Sequence, residues 1–209
     1  MKPTLLNPSD HSFGKSDASI MVVVYEDYEC EYCEKAFDVL KQMRKDFQKE
    51  LCVVYRHFPL VRMHPSPLLA ALVVEACALQ GKFLQAHDLI FERQEYLEYR
   101  LGGILRLLEK DHGVVLAQLH EDLKKLELKQ KIDADIESGL QCGITITPAV
   151  FINSQRYVRK LEFSVLAEEI KKVLSKQQFN KSNLIRIADA PQLSLPRQER
   201  NTTGQYERV

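Results

Sequence analysis

The 209-residue sequence predicts an α/β fold in which a block of helices interrupts one sheet. Two apolar runs, residues 20–26 and 51–57, have the length and β-branched content of buried strands. Residues 31–49 between them have a helical pattern, so the two strands should be parallel with a right-handed crossover. From Ser66 to about Leu140, apolar residues recur every three or four positions, which predicts several packed helices.

The remaining patterns divide the chain into four parts. We expect an irregular N-terminal arm, an α/β domain made of two separated segments, a helical insertion, and a C-terminal tail without periodicity that we expect to be largely disordered. Their predicted bounds are 1–18 for the arm, 19–64 and 141–176 for the α/β domain, 65–140 for the insertion and 177–209 for the tail. The second segment of the α/β domain should contain an antiparallel hairpin, 149–152 with 156–160, and a closing helix, 161–176.

A Cys-Glu-Tyr-Cys sequence, residues 30–33, stands between the first predicted strand and its helix. Strand, Cys-x-x-Cys and helix in this order are typical of a thioredoxin-like redox site. A helix N-terminus stabilises a thiolate and lowers its pKa, so Cys30 is the predicted nucleophile. Cys33, one turn deeper, is the predicted resolving thiol. Two ordinary helix cysteines, or half of a zinc site, are the alternatives.

The other three cysteines cannot all pair. Cys52 lies in the second strand and Cys77 in an apolar helix, so both are expected in the core. Cys142 precedes the loop that leads to Pro148. We expect a structural role for it, with a third redox or ligand thiol as the alternative. His57 and His64 lie near the end of the second strand and are expected to pack or cap, with support of the Cys30 thiolate as the alternative.

Thr147 and Pro148 precede a short apolar run that we expect to form a strand. A cis bond at this position would turn the Thr147 backbone outward, where it could pair with an extended substrate. Spacing alone favours an ordinary trans proline, because cis bonds are only about 5–6% of X-Pro bonds.

Several segments in order resemble the DsbA-like thioredoxin-fold oxidoreductases. The likeness covers roughly residues 8–175 and rests on Asp10-His11-Ser12-Phe13-Gly14, Val24 to Cys33, Tyr55 to Leu60, His64-Pro65, Gln80-Gly81-Lys82-Phe83 and Thr147-Pro148. It implies a thioredoxin-like fold with an inserted helical subdomain, the α/β domain above being the thioredoxin-like part. It also implies that Thr147 and Pro148 form a cis-proline loop that binds substrate. The chain departs from many relatives at Val24, where a glutamate often relays protons to the buried thiol.

Five acidic residues crowd the Cys pair, namely Glu26, Asp27, Glu29, Glu31 and Glu34. Carboxylates beside a thiol disfavour its thiolate, so the pKa of the first cysteine should be less depressed than in a strong oxidant. A less stabilised dithiol state makes a disulfide less oxidising, which predicts a reductase-like or isomerase-like poise. Alternatively, these carboxylates point to solvent and are screened.

Composition excludes several classes of function. Net charge is zero with basic residues dispersed among acidic ones, so the sequence does not predict nucleic-acid binding. No apolar run has the length of a membrane span. Residues 1–8 lack the apolar core of a signal peptide, so we expect a cytoplasmic protein, where a lone Cys pair is more often catalytic than structural.

The sequence therefore predicts a thiol–disulfide oxidoreductase that exchanges two electrons between Cys30-Cys33 and a protein or small-molecule disulfide. It requires no metal or organic cofactor, and its redox partner is unidentified. One alternative is a module in which the same cysteines hold zinc or copper(I). Another is a glutathione-dependent isomerase on a thioredoxin-like fold.

Overall fold

One mixed sheet organises the protein. A computed structural model describes residues 6–94 and 97–188, and within them it has five strands. The strands are β1 His11–Phe13, β2 Ile20–Glu26, β3 Leu51–His57, β4 Ala149–Ile152 and β5 Gln155–Arg156, in the sheet order β1-β3-β2-β4-β5. β2 and β3 are parallel along their whole length, which confirms the predicted βαβ unit. β1, β4 and β5 each run antiparallel to a neighbour.

Helices join and cover the strands. The crossover between β2 and β3 is α1, Glu31–Asp46, and the last helix of the described residues is α7, Phe163–Ala188. The block between β3 and β4 is helical as predicted, with α2 Pro67–Ala78, α3 Phe83–Glu92, α4 Leu97–His112, α5 Leu116–Asp122 and α6 Leu126–Gln141. All of these elements up to residue 174 belong to one compact unit, and a second unit begins at residue 175.

Alternating side chains of the central strands pack into two clusters. Val22 and Val24 of β2 face the larger cluster, which also holds Cys30, Cys33 and residues of all seven helices. Val23 and Tyr25 face a smaller cluster on the other side of the sheet. Every residue of β2 and β3 is buried, because both faces are covered.

The N-terminal arm is more ordered than predicted. His11–Phe13 pairs with the outer edge of β3, and the neighbouring Asp10 carboxylate accepts two hydrogen bonds from the fully buried Arg56 guanidinium. His11 Nε2 lies 2.9 Å from a carboxylate oxygen of Glu75. The expectation of an irregular arm was therefore wrong for these residues, because partners distant in sequence hold them in place.

Two other boundaries differ from the predictions. The hairpin turns at Asn153 and Ser154, and its second strand is only Gln155–Arg156, at the edge of the sheet. The predicted strand 156–160 was therefore too long, and Val158 within it is 84% exposed. The closing helix continues to Ala188, so the tail was wrongly predicted to lack structure from residue 177. No proline or glycine interrupts 163–188, and the first proline afterwards is Pro191. Residues 189–209 of the predicted tail lie outside the described residues.

Candidate functional site

The two cysteines of the motif lie where β2 leads into α1. Cys30 has an extended conformation and forms the N-cap of α1, and its carbonyl accepts from the N–H groups of Cys33 and Glu34. Both thiols are free and buried, Cys30 7% exposed and Cys33 completely covered. Tyr32 between them is 69% exposed. The arrangement leaves Cys30 as the sulfur nearer to solvent.

The sheet topology brings Thr147 and Pro148 to the same place. β4 pairs antiparallel with β2, and Ala149 at its start lies opposite Tyr25 near the end of β2. The residues that precede β4 and those that follow β2 therefore meet at one end of the sheet. The Thr147-Pro148 bond is cis, and the Cys30 thiol donates to the Thr147 carbonyl over 3.4 Å.

The Cys30 thiol is acidic. Its hydrogen bond with Cys33 is the largest influence, burial opposes it, and contacts with Thr147 and with backbone N–H groups of the first turn add to it. Together they lower the pKa of the Cys30 thiol from 9.0 to about 6. A thiol with this pKa is mostly thiolate at neutral pH, and the thiolate is the form of cysteine that can attack a disulfide.

The Cys33 thiol has the opposite character. Burial, followed by the hydrogen bond and charge interaction with Cys30, raises the pKa of Cys33 well above its usual value. The Asp27 backbone N–H donates to Cys33 Sγ over 3.4 Å and acts in the other direction. At neutral pH these two shifts favour an ionised Cys30 and a protonated Cys33.

The five acidic residues do not form one exposed rim. Glu26 and Asp27 are buried, and their carboxylates bind His87 at 2.6 Å and His64 at 3.0 Å. No carboxylate is among the largest influences on the Cys30 thiol.

Two of the other three carboxylates also have partners. Glu29 accepts from the Ser66 N–H, and Glu31 pairs with Lys35 on the surface. The expectation that the five carboxylates act together beside Cys30 is therefore wrong for Glu26 and Asp27, whose side chains are buried against histidines.

The histidines near the second strand bind carboxylates. His57 Nε2 lies 2.9 Å from Glu75, and His64 Nδ1 contacts Asp27. Both contacts agree with the packing or capping role expected from the sequence.

The cysteines outside the motif have separate environments. Cys52 and Cys77 are buried in the core as predicted. Cys142 ends α6 and packs at the margin of the smaller cluster, across the sheet from the cluster that contains Cys30 and Cys33. Within residues 6–94 and 97–188, no group of three or more His, Cys, Asp or Glu side chains is arranged to hold a metal ion.

One contact to the motif comes from the helical insertion and was not predicted. Gln94, in the turn after α3, donates its amide to the carbonyls of Tyr28 and Cys30 at 2.8 and 3.1 Å. The partners are more than 60 residues apart, so no local sequence pattern predicts the contact.

In the described part of the chain, no helix is long and apolar enough to cross a membrane.

Curated relatives cover most of this chain. Na(+)/H(+) antiporters called NhaA 1 from Mycolicibacterium vanbaalenii and Mycolicibacterium gilvum are 33% and 32% identical to it over 150 residues. The matched region is 71% of this chain and 24% of each relative. The chain thus spans about a quarter of the length of these relatives.

Solved structures share the fold. The thiol-disulfide exchange protein alpha-DsbA2 from Wolbachia pipientis superposes with a TM-score of 0.71 at 19% identity, over 81% of this chain and 89% of that one. BdbD from Bacillus subtilis gives 0.71 at 22% identity, over 83% and 96%. A thioredoxin family model matches residues 6–175. The chain therefore belongs to the thioredoxin family, and its fold is the DsbA-like form in which helices are inserted into a thioredoxin-like sheet.

Proposed function

We propose that this protein is a thiol–disulfide oxidoreductase that exchanges two electrons between Cys30-Cys33 and a disulfide in a protein or a small molecule. One observation carries the proposal. An acidic thiol at the N-terminus of α1 lies in hydrogen-bonding reach of a second, protonated thiol and of the cis Thr147-Pro148 loop.

The proposed reaction has two displacement steps. The Cys30 thiolate attacks one sulfur of the substrate disulfide, and the substrate S–S bond breaks as the mixed disulfide forms. The departing substrate thiolate takes a proton from solvent. The Cys33 sulfur then attacks Cys30 Sγ, which forms the Cys30–Cys33 disulfide and releases the second substrate sulfur as a thiolate. The Cys33 proton passes through solvent to that departing thiolate. The dithiol is oxidised by two electrons and the substrate disulfide is reduced.

Thr147 and Pro148 are proposed to bind the substrate. Thr147 already faces Cys30 through its carbonyl, and Ile146 before it is 63% exposed. An extended segment that carries the target disulfide would pair with the Thr147 backbone, as in the addition of a strand to a sheet edge. This pairing would bring a substrate sulfur to the exposed side of Cys30.

We further propose a reductase-like or isomerase-like poise. A pKa of about 6 at Cys30 is nearer to that of thioredoxin, about 7, than to that of DsbA, about 3.5. When the thiolate of the reduced form is less stabilised, the disulfide form is a weaker oxidant. A reducing compartment such as the cytoplasm, with an unidentified protein or small thiol as electron donor, suits this poise and is proposed with it.

The test uses wild-type protein, Cys30→Ser, Cys33→Ser and, as a matched control, Cys142→Ser. The assay is dithiothreitol-driven reduction of insulin. We expect full activity in the wild type and Cys142→Ser, none in Cys30→Ser, and a mixed disulfide through Cys30 in Cys33→Ser, detected by mass spectrometry. Unchanged turnover in Cys30→Ser would overturn the proposal.

The two alternatives give different results. A metal-binding module would retain zinc or copper(I) at about one equivalent per reduced chain after dialysis, measured by elemental analysis. A glutathione-dependent isomerase would stay active when Cys30 and Cys33 are both serine, provided that glutathione is present.

A further inference from the structure

The turn after α3 touches the redox motif through one side chain. The Gln94 amide nitrogen donates to two carbonyls, that of Tyr28 at 2.8 Å and that of Cys30 at 3.1 Å. These carbonyls belong to the loop that connects β2 to α1. A single amide group from the helical insertion therefore spans the backbone just before the predicted nucleophile.

The Cys30 carbonyl already has two other donors. The N–H groups of Cys33 and Glu34 reach it at 2.8 and 3.1 Å and close the first turn of α1. The Gln94 amide adds a third donor from outside the helix. Donors on this oxygen reduce the negative potential that the carbonyl places beside its own thiolate, and they fix the orientation of the peptide that carries the Cys30 side chain.

Two further contacts with the helical insertion hold the loop between β2 and α1, one through Tyr28 and one through Glu29. The Tyr28 ring is buried against Phe91 near the end of α3. The Glu29 carboxylate holds the N–H of Ser66 at the start of α2, at 2.7 Å. The insertion thus fixes residues 28–30 through two helices, and Gln94 is the group that acts on Cys30 itself.

We propose that Gln94 is a positioning residue of the dithiol site, and that its amide favours the ionised form of Cys30 and fixes the orientation of the peptide that carries it. The inference rests on the proposed function for its relevance to catalysis. Its physical content, a lower pKa and a fixed orientation of Cys30, is measurable without turnover.

Gln80 offers a matched control in the same insertion. Its amide also bridges backbone groups, donating to the Val115 carbonyl at 3.3 Å and accepting from the Val115 N–H at 2.9 Å. Loss of the Gln80 amide removes the same kind of contact from Val115 and leaves the backbone of the Cys30–Cys33 motif with its own contacts.

The test measures the pH dependence of Cys30 alkylation by iodoacetamide, followed by mass spectrometry of the Cys30 peptide. In Gln94→Leu both donors are lost, and the acid dissociation constant of Cys30 should fall about two- to tenfold, the range for neutral hydrogen bonds. Gln94→Glu should lower it further, since a carboxylate adds negative charge and cannot donate. Gln94→Lys keeps a donor and should match or exceed the wild type, and Gln80→Leu should leave the constant unchanged.

The variants separate the explanations. If charge alone mattered, Gln94→Leu would titrate like the wild type, and that result in a folded variant overturns the inference. A fall of equal size in Gln80→Leu also overturns it, because it would show a general loosening of the insertion. Should Gln94→Leu fail to fold, Gln94→Asn, whose amide falls short of the carbonyls, carries the same expectation. A shifted titration in a protein without reductase activity would support the role of Gln94 and reject the proposed function.

Discussion

The hydrogen bond between the two thiols should dominate the acidity of Cys30. Cys33→Ala removes the donor from the position that has the largest influence on the Cys30 thiol. Cys33→Ser keeps an O–H donor at the same position and is the matched control. Both variants lose the resolving thiol, so a difference between them reports the hydrogen bond alone.

The size of the effect follows from the energy of such a bond. A hydrogen bond to a charged group contributes about 1.5–3 kcal/mol, and about 1.4 kcal/mol changes a pKa by one. Cys33→Ala should therefore raise the pKa of Cys30 from about 6 to between about 7 and 8. At pH 7 the thiolate fraction would fall from about 90% to between about 50% and 10%.

The assay is the rate of Cys30 alkylation between pH 4 and 10, read peptide by peptide. Peptide resolution matters, because the chain has five cysteines. Burial raises the pKa of the Cys77 thiol to about 12, so its peptide should stay unlabelled in the folded protein and report any unfolding.

The alanine and serine variants of Cys33 should differ in the pKa of Cys30. The midpoint for Cys33→Ala must lie above that for Cys33→Ser, with the wild type lowest or level with the serine variant. Equal midpoints for alanine and serine would show that the helix terminus, and not the second thiol, sets the acidity of Cys30.

Three further predictions concern the stability of the fold, its pH dependence and the Cys30 titration. Gly14→Ala should destabilise the fold by more than about 1 kcal/mol in urea unfolding, because Gly14 has φ +97° and an added Cβ would lie 2.1 Å from a β3 carbonyl oxygen. An unchanged unfolding midpoint would contradict this prediction. Burial acts to raise the pKa of Glu75, but hydrogen bonds from His11 and His57 outweigh burial and lower that pKa. The stability that the Glu75 carboxylate contributes is therefore present above pH 4.5 and lost on acidification. Glu75→Gln should flatten the acid side of the plot of unfolding free energy against pH, and an unaltered slope would refute the assignment. Cys142→Ser should leave the Cys30 titration unchanged, whereas a shifted midpoint would place this thiol in the site.

The central part of the fold was predictable because its signals are local. β2 and β3 are buried on both faces and therefore read as continuous apolar runs. The position of Cys30 and Cys33 at the start of α1 followed from their place between strand and helix.

The misjudged parts depend on contacts between distant residues. β1 is three residues long, and its neighbours Asp10 and Arg56 are joined across 46 positions. The acidic residues around the motif look equivalent in sequence, yet β2 turns Glu26 inward to His87 while Glu31, at the start of α1, lies on the surface. Side-chain direction of this kind depends on the tertiary structure and has no local signature. The contact of Gln94 with the motif could not be predicted from the sequence for the same reason.

The most direct test of the central claim is the reduction potential of the Cys30–Cys33 couple, measured by equilibration with defined glutathione ratios, acid quenching and mass spectrometry of alkylated thiols. The proposed function predicts a reversible two-electron couple near that of thioredoxin, about −270 mV. A couple near −120 mV would contradict the proposed poise, since that is the potential of the strong oxidant DsbA. The absence of any reversible couple would contradict thiol–disulfide exchange itself.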